Sequence, residues 1–340
     1  MVSARGGGSP GRNVDCLETA QNEPFVLLSS REQLRKREVY MVTAHPVSPL
    51  SQVKIETIAV LTDFSSGAEM ALRCAVEFAR AYHAGLVLAH AYNPISAFVT
   101  PEAALAYEPL DDMRKAMQDR LLGQTEASFL QGVNCTTLLS MGEALNLLED
   151  LKHVELIVVG TSGEAGFVKA AIGSTAERIF RSSTIPVLTV GPYCRCTGKG
   201  EATLKTVLYT TDFSPGAEVA LPYAVSLARK NEAQLVLLHV KGDKDVPFTF
   251  DRAMASEEPM ARLRNLVPGD ADLHKSPTCF VGFGIPDAVI LDEATSRNAD
   301  LIVMGARGTG ALTSIVSHFG GGTAYKVAAS AKCPVLTIRK

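Results

Sequence analysis

A chain of 340 residues, 46% hydrophobic and 20% charged, has the make-up of a soluble globular protein with room for about two domains. Its net charge near −3 gives no electrostatic case for nucleic acid or an anionic membrane as partner, and no apolar run approaches the ~20 residues of a membrane-spanning helix. The N-terminus lacks the apolar centre of a secretory signal, so the cytoplasm is the expected compartment.

Residues 1–52 stand apart. They hold Gly6-Gly7-Gly8, scattered prolines and a charged patch at 31–38 with nothing to bury against, and are expected to form a disordered arm. A first domain is expected over 53–191. It opens with a strand, Ile55 to Leu61, that ends in Thr62-Asp63-Phe64-Ser65. Ser65 suits the N-cap of a helix in which Ala68, Leu72, Ala75, Val76 and Ala79 recur at helical spacing. Leu86 to His90 reads as a second strand, 102–131 as a long helix, Cys135 to Leu139 as a third strand and Glu143 to Leu151 as a helix. The fourth strand is 154–159, ending in Val159, and Ile185 to Val190 closes the domain. Strands alternating with helices over short connections imply a doubly wound parallel sheet.

Between the fourth strand and its helix lies GTSGEAGFVKAAIGSTA, residues 160–176. Gly160, Gly163 and Gly173 permit close backbone approach, and Ser174 and Thr175 add hydroxyls at a helix start. A strand, a glycine loop and a helix N-terminus can together hold phosphate through backbone N–H groups. Neither GxxxxGK[ST] nor GxGxxG occurs here, and a glycine loop without ligand is the competing reading. Lys169 lies within the loop and is read as a solvated side chain.

After a polar linker at 192–203 the pattern restarts. Residues 62–92 and 211–241 align without a gap at an offset of 149, with 18 of 31 positions identical, so the chain is internally duplicated. The second domain, 204–340, repeats Thr211-Asp212, a strand near Cys279, a helix over 284–297, a strand at 301–304 and a closing Pro334-Val335-Leu336-Thr337 strand. Its glycine loop departs from the first. Gly305 and Gly308 keep their spacing, but Gly321 lies opposite Gly173, and Gly322 stands where Ser174 would be. A shift of one residue offers Gly322-Thr323 as the glycine–hydroxyl pair instead. Arg307 and His318 fall in this loop and are read as surface residues. His90 and His239 occupy equivalent strand-two positions, consistent with a shared structural or cleft-rim role. Seven cysteines do not suggest a disulfide scaffold, and Cys194 and Cys196 are expected to be incidental linker residues.

Taken jointly, the Thr-Asp-Phe-Ser strand end, the Gly-x2-Gly-x9-Gly-Ser loop and the closing Pro-Val-Leu-Thr strand resemble two universal stress protein domains in tandem. The resemblance covers nearly all of 53–340. It implies two five-stranded parallel sheets of order 3-2-1-4-5 with the adenine nucleotide alpha-hydrolase-like fold. In that order Asp63 and the Gly160 loop converge on one crevice, a topological switch point. The resemblance further implies that ATP or a related adenine nucleotide binds there, with magnesium as a companion, mainly in the first domain. Thr62 and Asp63 would border adenine and ribose, Leu86 would give an apolar wall, and Gly160, Gly163, Gly173, Ser174 and Thr175 would hold phosphate. In the second domain Thr211, Asp212, Gly305, Gly308, Gly321, Gly322 and Thr323 are the counterparts, with a ligand-free loop as the competing reading.

The function expected is a stress-response sensor or regulator. The alternatives are a slow ATP-hydrolysing enzyme, for which no general base is evident, and a ligand-free protein-interaction module with an unknown protein partner. The two closing strands, 186–190 and 334–338, are expected to meet in an intramolecular pseudo-dimer, with further pairing of two chains left open.

Overall fold

The computed structural model describes residues 53–93, 108–161, 172–194, 196–242, 252–306 and 322–339. The 1–52 arm, Gly163, Lys169, Arg307, Gly308, His318 and Gly321 lie outside them.

The first copy runs β1 (Thr57–Leu61), α1 (Ser66–Tyr82), β2 (Gly85–Tyr92), α2 (Glu108–Thr125), β3 (Cys135–Met141), α3 (Leu147–Asp150), β4 (Leu156–Gly160), α4 (Ser174–Ser182) and β5 (Val187–Val190). The second runs β6 (Thr206–Thr211), α5 (Pro215–Glu218), α6 (Leu221–Lys230), β7 (Gln234–Lys241), α7 (Arg252–Arg264), β8 (Thr278–Phe283), α8 (Pro286–Ser296), β9 (Leu301–Gly305), α9 (Thr323–Ser330) and β10 (Val335–Ile338). Strands β4, β5, β9 and β10 are buried along almost their whole length, as their unbroken Val/Ile/Leu content demands of a parallel sheet covered on both faces.

Each copy has the strand order 3-2-1-4-5, and the two fuse into one ten-stranded sheet, β3-β2-β1-β4-β5-β10-β9-β6-β7-β8. Pairing is parallel throughout except at the seam, where β5 and β10 are antiparallel with Leu188 opposite Leu336. The seam is further tied by Thr189 Oγ1 donating to Val335 O at 3.1 Å and Thr337 Oγ1 donating to Val187 O at 3.2 Å. Each closing strand therefore hides the edge that the other copy would expose. One face of the sheet carries the apolar residues of α1, α6 and the inner sides of α2 and α7; the other carries those of α3, α4, α8 and α9.

Three local expectations are adjusted by packing. The long helix expected over 102–131 is described only as α2, 108–125, with a 3₁₀ turn at Ser128–Leu130. The helix expected over 143–151 divides into a 3₁₀ turn, Ala144–Asn146, and the short α3. The counterpart of α1 in the second copy is broken into α5 and α6. Pro222 sits where α1 has Arg73; it cannot donate to the Glu218 carbonyl, and its ring crowds that group.

Cys196 is not incidental: it forms a disulfide with Cys74 of α1, Cα–Cα 5.0 Å. The linker beyond it is fastened to α1 independently. Glu77 Oε1 accepts from Thr197 N, Thr197 Oγ1 and Gly198 N at 2.8–2.9 Å, and Arg80 donates to Gly198 O at 2.7 Å. Cys194 and Cys333 are buried thiols whose pKa burial pushes up to about 11 and about 12, which suppresses thiolate chemistry.

Candidate functional site

Strands β1 and β4 are neighbours, as are β6 and β9, and the segments that leave them depart on opposite faces. A crevice therefore opens at the C-terminal end of each pair. Its floor begins with the Thr-Asp-Phe-Ser turn. The buried Thr62 Oγ1 accepts from Phe64 N at 3.0 Å, and Asp63 Oδ1 accepts from Ser65 N at 3.0 Å. In the second copy Thr211 Oγ1 accepts from Phe213 N at 2.9 Å and Asp212 Oδ1 from Ser214 N at 3.0 Å. These side chains first of all build the turn, each mimicking a backbone hydrogen bond. The turn places Phe64 and Phe213 in the left-handed region, φ 65° and 58°, and hands the chain to the Ser65 and Ser214 caps of α1 and α5.

The histidines complete the same unit. His90 Nδ1 lies 2.7 Å from Thr62 O and His239 Nδ1 lies 2.8 Å from Thr211 O, so each Nδ1 carries the proton and donates it. Each ring packs beside the left-handed phenylalanine, at 4.6 Å between centroids. Arg120 and Arg262 stack on those phenylalanines at 4.2 and 3.8 Å. Burial lowers the pKa of both histidines, favouring the neutral form.

Gly160 and Gly305, at the ends of β4 and β9, have a role other than turning a loop. A Cβ on Gly160 would lie 2.5 Å from the carbonyl oxygen of Gly67 and 3.1 Å from Ala68 N; one on Gly305 would press still harder on Gly216. These glycine pairs let strand four touch the first turn of the strand-one helix. The second glycine of each pair opens a Gly-Ala-Glu that both copies contain, at 67–69 and 216–218, but only the fold shows what it touches.

On either side of the first-copy glycine segment, Gly173 N donates to Thr161 O at 2.8 Å, and Gly173 is the N-cap of α4. Ser174 and Thr175, the first residues of α4, are exposed. In the second copy Gly322 is the N-cap of α9 and Thr323 its first residue, so Gly322-Thr323 takes the place of Gly173-Ser174. The one-residue shift is the arrangement the chain adopts.

In the second copy these elements enclose a cleft of about 410 Å³. Thr211, Asp212, Gly305, Gly322 and Thr323 all line it, with Leu238, Val240, Ile290 and Met304 as apolar wall. Phe180 and Arg181 from α4 of the first copy, and Tyr325 and Arg339, complete it. Sequence periodicity could not find Phe180, Arg181 and Arg339, because their approach depends on the seam. In the first copy Thr62, Asp63, Val159, Gly160, Gly173, Ser174 and Thr175 occupy the matching positions around β1, β4 and α4. Leu86 does not join them. It pairs with Ile58 in the N-terminal half of β2, is 1% exposed, and belongs to the α1-side core. The wall positions are the later residues of the strand, Leu238 and Val240 in the second copy. Among the described residues no group of three or more His, Cys, Asp or Glu side chains gathers, and no helix is long and apolar enough to cross a membrane.

Comparison with known proteins agrees with this architecture. A universal stress protein of Mycolicibacterium smegmatis is 27% identical over 305 residues, covering 83% of this chain and 96% of its own. One from Mycobacterium tuberculosis is 25% identical over 304 residues, with the same coverage. The crystal structure of a universal stress protein from Archaeoglobus fulgidus superposes with a TM-score of 0.64 at 19% identity, over 83% of this chain and 98% of that one, which supports the fold. The model of the universal stress protein family matches residues 54–191 and again 203–339, and the chain belongs to that family as a tandem pair.

Proposed function

We propose that this protein is a nucleotide-binding regulator, holding ATP or a related adenine nucleotide at the carboxyl ends of its central strands and working in the cytoplasm. The observation that carries the reading is the second-copy cleft. Its volume, about 410 Å³, lies in the range of small-molecule sites, and five residues chosen from the sequence for nucleotide contact line it. The Asp212 carboxylate offers an acceptor for a ribose hydroxyl. Leu238, Val240, Ile290 and Met304 suit an adenine face. Gly322 and Thr323 bring backbone N–H groups and a hydroxyl to the α9 N-terminus, where a phosphate is favoured. The intact Gly-Ser pair of the first copy remains a second nucleotide site in this proposal, with Asp63 in the role of Asp212. The second copy thus takes at least an equal share, although its loop spacing is the altered one.

Calorimetric titration with ATP tests the reading on the wild type, on Asp212→Asn with Thr323→Val, and on Asp63→Asn with Ser174→Ala. Saturable binding to the wild type is expected. The second-copy pair should lose about tenfold or more in affinity at one site, the order of a few lost charge-assisted hydrogen bonds. A wild type that is folded and binds no adenine nucleotide would leave the protein as an interaction module.

A further inference from the structure

The seam relates the two copies by an offset of 148, as shown by Val187 and Val335 holding equivalent places in the β5–β10 register. Under that relation Phe180, Arg181 and Arg339, all of which line the second cleft, correspond to Ala328, Ala329 and Gly191. The correspondence is physical as well as numerical. Arg339 donates to the Phe180 and Arg181 carbonyls at the end of α4, and a Cβ on Gly191 would face Ala328 O at 3.8 Å. The duplication thus has a glycine and an alanine in the first copy at the places of Arg339 and Arg181 in the second cleft.

We propose that Arg181 and Arg339 read the anionic end of the ligand, making the second cleft selective for a nucleotide with a charged polyphosphate tail. This rests on the nucleotide reading above and deepens it. Three observations support the assignment. First, both guanidinium groups line the cleft, Arg339 donating to the Arg181 carbonyl and Arg181 Nε donating to Glu177 Oε1 at 2.8 Å. A neighbouring pair of like charges is stabilised by an arriving anion. Burial and the neighbouring Arg181 lower the Arg339 pKa in keeping with that unmet demand. Second, Arg339 Nε is buried and has no hydrogen-bond partner among the described residues, although its two Nη groups are engaged. Third, Asp212 follows β6, two strands away from β10 across β9, a separation of about 10 Å. A nucleoside at Asp212 would therefore run its phosphates past Gly305 and the α9 N-terminus toward the arginines.

The experiment is a titration of the purified full chain with ATP, AMP and inorganic tripolyphosphate, on the wild type, Arg339→Met, Arg181→Met and Arg339→Lys. Wild type should bind ATP more tightly than AMP at one of its sites. Each methionine variant should lower ATP and tripolyphosphate affinity about tenfold or more while leaving AMP unchanged, with a shallower dependence on salt. Arg339→Lys should restore part of the loss. Arg181 holds no carbonyl of α4, so Arg181→Met keeps the test valid should Arg339→Met unfold. Equal losses for ATP and AMP, or no loss for ATP, would overturn the inference while leaving the nucleotide reading standing. Tripolyphosphate binding that depends on the arginines, without any ATP binding, would keep the anion site and remove the nucleoside. A wild type that binds neither removes both.

Discussion

The two copies agree where the backbone has no choice and differ where side chains meet something else. Both build the same Thr-Asp-Phe-Ser turn, with a left-handed phenylalanine and a neutral histidine beneath it, and both bring strand four onto the helix through a glycine pair. Around that shared frame, α1 runs unbroken for 17 residues with the linker fastened along it, whereas its counterpart breaks ahead of Pro222. The cleft walls also diverge: Leu238 and Val240 stand where the first copy has Ala89 and Ala91, and arginines stand where it has Gly191 and Ala329. Duplication thus preserved a scaffold while the side chains at equivalent places around it diverged in size and charge.

The linker staple belongs to the first copy alone, so breaking it should produce the largest effect. Closing a segment of 122 residues, the Cys74–Cys196 bond should contribute about 4 kcal/mol. Urea unfolding with and without dithiothreitol should show that loss, and Cys196→Ser should abolish the difference. An unchanged midpoint would mean that Glu77, Arg80 and Arg73, which donates to Thr197 O at 3.0 Å, hold the linker by themselves.

Gly160→Ala and Gly305→Ala come next. In each the new methyl meets backbone rather than a flexible side chain, so a loss of about 3 kcal/mol is expected, with Gly305 the more severe. Thermal melts without ligand measure it. Full stability in Gly160→Ala would return that glycine to the role of a phosphate-loop residue.

Smaller and symmetric effects should come from the seam. Thr189→Val and Thr337→Val each remove one buried hydrogen bond at constant shape and should each cost about 1 kcal/mol in urea unfolding. Unequal costs would show that the seam is less symmetric than its register.

The smallest effect is a pH dependence common to both copies. His90 and His239 titrate below their ordinary 6.5 in the folded chain, so the unfolded chain binds more protons near that pH. Stability should be fully present above pH 6.5 and should decline as pH falls from there toward the folded-state values. Melting temperatures from pH 7.5 to 5 should show the slope, and His90→Asn with His239→Asn should flatten it. A slope unchanged in the double variant would assign it to other groups.

Much of this was legible in the sequence for definite reasons. The identity between 62–92 and 211–241 established the duplication, because chance does not hold one offset over 31 positions. The unbroken apolar runs of β4 and β9 and the Ser65 and Ser214 caps are local features, and local chemistry decided them. Asp63, Gly173 and their counterparts could be selected because the resemblance their motifs carry implies a strand order that brings them to one crevice.

What the sequence could not determine depends on contacts between segments far apart in the chain. Pro222 was readable, but whether its helix would bend or break rested on packing. Leu86 was assigned to the cleft although its place in the strand register puts it in the core. Cys196 reads as linker until α1 lies beside it, and Arg339 reads as a tail residue until β10 pairs with β5 and carries it to the end of α4. Spacing and periodicity specify which residues share an element and a face. Only the folded sheet, by setting two copies edge to edge, decides which side chain of one copy reaches into the site of the other.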